Sequence, residues 1–249
     1  MTLTSNVKLM CDAVLTLLYP QVCVICQRSV ERRALGVACE DCWRSTRLFT
    51  GYETICWKCG AQFVGSIAYS NRSEVRCHRC DCFAFTAARA CGIYERALRE
   101  SVLNLKRQPH VPESLMQLLV NTASREPLDE STLVVPVPLH PQRLQMRGFN
   151  QASIIARALA GSLPLPINEV SLIRTSHTER YRAGLDAKGR SDTVAQAFEV
   201  VYPQLIAGEK ILLIDDVFTT GATAATCARA LIENGADRVF VLTIARTGR

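Results

Sequence analysis

The stretch "KILLIDDVFTTGATAA", residues 210–225, decides the fold of the larger part of this chain. Residues 211–214 are an apolar run of strand length, Asp215 and Asp216 stand at its carboxyl end, and Thr219, Thr220 and Gly221 form a turn into a small-residue helix. A strand with no polar alternation belongs in a parallel sheet covered by helices, where ligands bind beyond the carboxyl ends of the strands. Glycine in that turn admits close backbone approach, and the amides of the helix N-terminus favour a phosphate, with threonine hydroxyls as further donors. Two carboxylates would repel the same phosphate, so they are expected to accept hydrogen bonds from neutral hydroxyls or to face a metal ion. A sugar phosphate satisfies both demands. The competing reading is a pair of acids that only cap the strand end or hold a metal. A Walker loop is excluded because no Gly-Lys-Ser/Thr follows.

The neighbouring sequence has the same rhythm. "FTAARACGIY" (85–94) reads as an opening strand, and "ERALRESVLNLK" (95–106) and "PESLMQLLVNTAS" (112–124) as helices. "TLVVPVPLH" (132–140) is a strand before a helix starting near "FNQASIIARALAG" (149–161). The helix in "GATAATCARALIENGA" (221–236) ends at Asn-Gly before the strand "RVFVLTIART" (238–247). Alternation of this kind predicts an α/β fold with a parallel sheet over residues 84–249.

The chain has 249 residues, 48% of them hydrophobic, enough for one full core and a smaller appended module. Residues 1–20 hold an apolar segment interrupted by Asp12 and closed by Pro20, which suits a short amphipathic helix better than a signal peptide. No run approaches the ~20 apolar residues that span a bilayer. A cytoplasmic protein without membrane insertion is expected, and in a reducing compartment paired cysteines serve metals rather than disulfides.

Eleven of the twelve cysteines fall between Cys11 and Cys91, and eight form four Cys-x2-Cys pairs: Cys23/Cys26, Cys39/Cys42, Cys56/Cys59 and Cys77/Cys80. Each pair places two thiolates on one knuckle, and two knuckles complete a tetrahedral zinc site. Paired in sequence order, they predict two structural Zn2+ ions in a double zinc-ribbon module over residues 21–83. A closed four-thiolate site leaves no coordination position for catalysis and stabilises a segment that has little core of its own. Cys11, Cys82, Cys91 and Cys227 read as small apolar fillers or spare thiols, and His78 and Cys82 are set aside as substitute ligands.

Zinc ribbons often bind nucleic acid, so charge matters. Residues 20–90 carry ten Lys or Arg against six Asp or Glu. Each Zn(Cys)4 centre brings a net charge of about −2, and two of them cancel that excess. The formal +6 of the whole chain falls to about +2 by the same reasoning. A nucleic-acid role would then need a local patch. Arg28, Arg32, Arg33, Arg44 and Arg47 are the candidates, with a solvated face as the plainer reading, and Trp43 and Trp57 read equally as exposed rings that stack on bases or as rings packed against the knuckles.

The strand, Asp-Asp and Thr-Thr-Gly-Ala-Thr of residues 211–223 resemble the phosphoribosyl-pyrophosphate (PRPP) loop of type I phosphoribosyltransferases. With "VVPVPLHPQRLQMRGFNQA", "LNLK" and the cysteine module, nearly the whole chain resembles the ComF family, including its GntX-like members. The resemblance implies that Asp215 and Asp216 hold the ribose hydroxyls and that Thr219, Thr220, Gly221, Ala222 and Thr223 cradle the 5′-phosphate. It further implies that Lys106 lies on the pyrophosphate loop, that Arg143, Arg147 and residues 148–151 form a mobile second loop, and that Mg2+ accompanies PRPP. Two positions depart from the family pattern: Arg182 stands where a glutamine is expected and Thr193 where an asparagine is expected, while Arg190 and Phe198 match. No hydrophobic hood for a base is evident after "TIARTGR".

Two function classes remain open on these residues. One is a phosphoribosyltransferase acting in nucleobase salvage. The other is a PRPP-sensing module whose ribbons contact single-stranded DNA or a DNA-processing protein. The resemblance implies a role in DNA uptake and competence, or in the use of DNA as a nutrient.

Overall fold

The computed structural model describes residues 19–63, 65, 67, 69–175 and 197–248. The N-terminal helix expected over residues 1–20 lies outside the described residues except for its last two, and Arg182, Arg190 and Thr193 lie outside them too. In chain order the elements are α1 (Glu40–Arg44), β1 (Ala87–Ala90), α2 (Arg96–Leu105), α3 (Glu113–Ala123), β2 (Leu133–Pro136), α4 (Pro141–Arg147), α5 (Gln151–Ala160), β3 (Leu172–Arg174), β4 (Phe198–Val200), β5 (Lys210–Phe218), α6 (Ala222–Glu233) and β6 (Arg238–Arg246).

Four strands form a parallel sheet in the order β1-β6-β5-β2, with Leu213 opposite both Val135 and Val241. The expected α/β architecture is therefore present, with β5 and β6 in the middle because they are the two longest apolar runs. Their side chains alternate between two cores. Leu212 and Ile214 face a cluster with Leu98, Leu115 and Ile155 from α2, α3 and α5, while Ile211 and Leu213 face one with Cys227 and Leu231 of α6 and Phe198 of β4. Residues 211–214 are fully buried, and each such side chain contributes about 1.5–3 kcal/mol.

The cysteine module is bonded along the β1 edge. Leu48 pairs antiparallel with Gly92, Phe49 N–H donates to Cys91 O at 2.8 Å, and Ile93 N–H to Arg47 O at 2.9 Å, so residues 47–49 cover an otherwise open strand edge. Gly92 has to be glycine here: a Cβ would sit 2.3 Å from Arg47 O. Arg47 also forms a two-pronged pair with Glu95 at 2.7 and 2.8 Å, and Ala88 N–H donates to Lys58 O at 2.7 Å.

α4, β3 and β4 were not read from the sequence. α4 is a helix where a mobile loop was expected; it starts with Pro141 after His140, whose Nδ1 accepts from Gln142 N–H at 3.2 Å, and it ends at left-handed Gly148. β3 and β4 form a separate antiparallel pair over the α6 side of the sheet.

Candidate functional site

β5 runs four residues past the buried run 211–214, to Phe218, so Asp215 and Asp216 lie within the strand toward its carboxyl end rather than beyond it. Both carboxylates are half-buried. Asp216 N–H donates to Asp215 Oδ1 at 2.8 Å. Burial, and then the neighbouring Asp216 carboxylate, push Asp215 up to about 7, against the pull of that amide, Lys106 and Arg174. Near neutral pH Asp215 is therefore only partly ionised.

Lys106 caps the C-terminus of α2 and brings its Nζ to 3.5 Å from Asp216 Oδ2. The cation and the carboxylate are 110 residues apart in sequence, and only the crossover from β1 through α2 unites them. Past the acids, Thr219 and Thr220 are exposed, Gly221 is buried at φ +82°, and α6 begins at Ala222, whose amide donates weakly to Thr220 Oγ1 at 3.4 Å. A Cβ on Gly221 would lie 2.7 Å from Phe218 Cζ and 3.1 Å from the Phe83 ring, so backbone conformation and space both demand glycine. Ala222 and Thr223 are exposed on the first turn of α6.

Arg147 ends α4 and is exposed. Asn150 fixes the next turn: its Oδ1 accepts from Ala152 N–H at 3.1 Å and its Nδ2 donates to Val137 O at 2.9 Å, tying α5 to the end of β2. Arg174 on β3 was not assigned a role from sequence. Its guanidinium lies over the Phe198 ring at 5.3 Å, burial lowers its pKa, and Asp215 and Cys227 counter that shift. Nothing in the sequence around Arg174 points to the acidic pair 41 residues further on.

The eight cysteines form two tetrads, Cys23/Cys26/Cys39/Cys42 and Cys56/Cys59/Cys77/Cys80, each with all sulfurs within 4.8 Å of one another. The nearest cross-knuckle distances are 3.7 and 3.5 Å in the first and 3.5 and 3.5 Å in the second. A tetrahedral Zn(Cys)4 centre has S–S edges of about 3.8 Å, so both tetrads fit zinc as paired. Cys91 and Cys227 are buried in the core and Cys82 is exposed; none joins a tetrad, nor does His78.

The arginines considered for a DNA patch are largely ion-paired. Arg28 meets Asp41 at 3.0 Å, Arg44 meets Asp41 and Glu40 at 3.2 and 3.3 Å, and Arg47 meets Glu95. Trp43 is buried and donates its indole N–H to Leu35 O at 2.9 Å, so of its two readings the packed one holds. Trp57 is half-buried beneath the Arg89 guanidinium at 4.8 Å.

Residues 14–81 match the double zinc ribbon domain family. The chain is 28% identical over 236 residues to the DNA utilization protein YhgH of Escherichia coli K12, covering 92% of this chain and 98% of that protein. It is also 28% identical to the competence protein ComFC of Bacillus subtilis, covering 86% and 90%. Similarity over this length, together with the ribbon match, supports a ComF-family protein. A further relative is competence protein F of Haemophilus influenzae, 33% identical over 134 residues, 53% of this chain and 58% of that one. Among solved structures, the glutamine PRPP amidotransferase of B. subtilis overlaps 60% of this chain and 27% of its own at 19% identity and a TM-score of 0.36. An overlap that slight carries no argument, and the fold rests on the strand order itself. No described helix is long and apolar enough to cross a membrane.

Proposed function

We propose that the chain is a PRPP-binding, phosphoribosyltransferase-like protein serving DNA uptake or the use of DNA as a nutrient. The observation that carries this reading is the Lys106–Asp216 contact at 3.5 Å at the mouth of the 219–223 turn. It gathers a cation, an acidic pair and a helix N-terminus on one strand end, which is the set of partners a phosphorylated sugar diphosphate requires. Without ligand, Lys106 offsets the acidic pair. A ligand carrying both a diphosphate and a vicinal diol would exchange these partners, Lys106 moving to the diphosphate and the carboxylates accepting from the hydroxyls.

In this reading the amides and hydroxyls of residues 219–223 hold the 5′-phosphate. Lys106 and Arg147 take the diphosphate, and Arg174 edges the side where an acceptor would sit. The half-buried carboxylates suit Mg2+, a hard cation that binds oxygen, and when bound it would offset the charge of the leaving diphosphate. The protein's own contribution is positioning and electrostatics, with no nucleophile required.

The test is calorimetric titration with PRPP and Mg2+, beside a panel of nucleobases and single-stranded DNA, with pyrophosphate release followed in parallel. PRPP binding with base-dependent pyrophosphate release identifies a transferase, and PRPP binding without release identifies a sensor. Absence of PRPP binding by zinc-replete protein would refute the proposal.

A further inference from the structure

A second cavity lies at the seam between the cysteine module and the sheet, and shares no lining residue with Lys106, the acidic pair or the 219–223 turn. It encloses about 560 Å3, within the usual range for small-ligand pockets. Its walls come from residues 49–57, the turn holding Arg72, the edge strand β1 and the end of α3.

Aromatic rings and guanidinium groups alternate there. Arg89 donates from Nη1 to Trp57 O at 2.8 Å and to Ala88 O at 2.9 Å, while its Nη2 is buried with no hydrogen-bond partner among the described residues. A buried guanidinium nitrogen without an acceptor is costly, by the desolvation of a charged donor. Arg72 lies 5.7 Å from the ring of Tyr52, which is 77% exposed, and Arg125 donates from Nη1 to Phe49 O at 3.0 Å. The opposing carboxylate of Glu53 is occupied: it accepts from Thr50 N–H and Oγ1 and from Gly51 N–H at 2.7, 2.8 and 2.9 Å. Its oxygens are therefore committed to its own turn. Arg72 donates from Nη1 to Gly51 O at 2.5 Å and from Nη2 to Tyr52 O at 2.6 Å and so holds the Tyr52 turn in place, which leaves aromatic surface beside the guanidinium groups of Arg89 and Arg125.

We propose that this seam cavity binds a nucleotide, its base against Tyr52 and Trp57 and its phosphate toward Arg89 and Arg125. Flat rings of this kind accept any base face, and planar guanidinium forks match phosphate. The nucleotide is either a free monophosphate or one unit of a DNA strand, two sources of the same chemistry.

The chain has two tryptophans, and Trp43 is in the core, so a Trp43→Phe protein reports Trp57 alone. Its fluorescence is titrated with dAMP, with a single-stranded oligothymidylate and with inorganic phosphate. Saturable quenching by dAMP identifies the free nucleotide; quenching by the oligonucleotide alone identifies a strand. In either case Tyr52→Ala and Arg89→Lys, each retaining two zinc ions, should weaken binding about tenfold, and PRPP affinity should stay unchanged. Arg89→Lys keeps the charge and removes the fork, which separates recognition from charge balance near the ribbon. The proposal is overturned if neither nucleotide form quenches, if phosphate competes as well as dAMP, or if quenching survives both substitutions.

Discussion

The two cysteine tetrads have the same ligands and nearly the same spacing, yet they are built into different parts of the molecule. The first belongs to the core cluster of α2 and α3: Cys23, Cys39, Cys42 and Trp43 pack with Leu98, Val102 and Leu115, and Thr46 Oγ1 accepts from Ala97 N–H at 3.2 Å at the start of α2. The second belongs to the opposite cluster. Cys56, Cys59 and Cys80 pack with Phe85 and Phe218, and Arg246 donates to Cys59 O at 2.7 Å while lying 5.5 Å from the Phe218 ring. Phe83, whose N–H donates to Cys80 O at 3.1 Å, stacks 5.0 Å from Phe85 and presses on Gly221. A continuous path of contacts therefore joins the second zinc site to the turn before α6, whereas the first packs with the helices α2 and α3. Identical metal chemistry gives a brace for helices in one case and a seat for the ligand turn in the other.

The largest expected effect comes from separating the two sites. Cys56→Ser with Cys59→Ser should reduce bound zinc from two ions to one and weaken PRPP binding by about tenfold or more, because the Phe83–Phe218 seat loses its support. Cys23→Ser with Cys26→Ser should lose one zinc and lower the melting temperature while leaving PRPP affinity within about threefold of the parent. Metal analysis, thermal melting and calorimetry on both variants check this. Equal losses of affinity would erase the distinction.

A smaller effect is expected inside the seat. Gly221→Ala meets both a positive φ and the Phe218 ring, so a cost of about 1–3 kcal/mol is expected, read as reduced PRPP affinity with both zinc ions retained. An alanine protein that binds PRPP normally would show that the turn is not held by this contact.

The smallest effect is on pH dependence. Asp215 is raised to about 7 in the fold, above the ordinary carboxylate value. The folded protein therefore binds more protons than the unfolded one between about pH 4 and 7. The contribution to stability is full below pH 4 and is lost as pH rises through 7. Asp215→Asn should flatten this decline, measured as denaturant midpoint against pH, whereas a parallel decline in the variant would assign it elsewhere.

The strand, the acidic pair and the glycine turn were legible because each is a contiguous pattern with its own physical demand. The tetrads were legible because Cys-x2-Cys spacing already fixes two ligands of four. What was not legible depended on distant partners. Arg246 reaches Cys59 across 187 residues, and nothing near either residue announces it. α4 buries none of its residues, so it left no apolar periodicity to read. β3 and β4 are three residues each, too short for alternation to register. The buried state of Trp43 and the pairing of Arg28 and Arg44 with α1 acids followed from how the first knuckle folds back on itself, which composition does not encode.

The most direct test of the sugar-phosphate site is titration of Mg2+-PRPP into the parent protein and into the Asp215→Asn, Asp216→Asn double variant under identical conditions. Each charge-assisted hydrogen bond lost is worth about 1.5–3 kcal/mol, so binding in the variant should fall by at least about tenfold, with two zinc ions and the melting transition retained. Unchanged affinity in that folded variant would contradict the assignment of the acidic pair to the ligand, and with it the reading of residues 210–225 as a PRPP site.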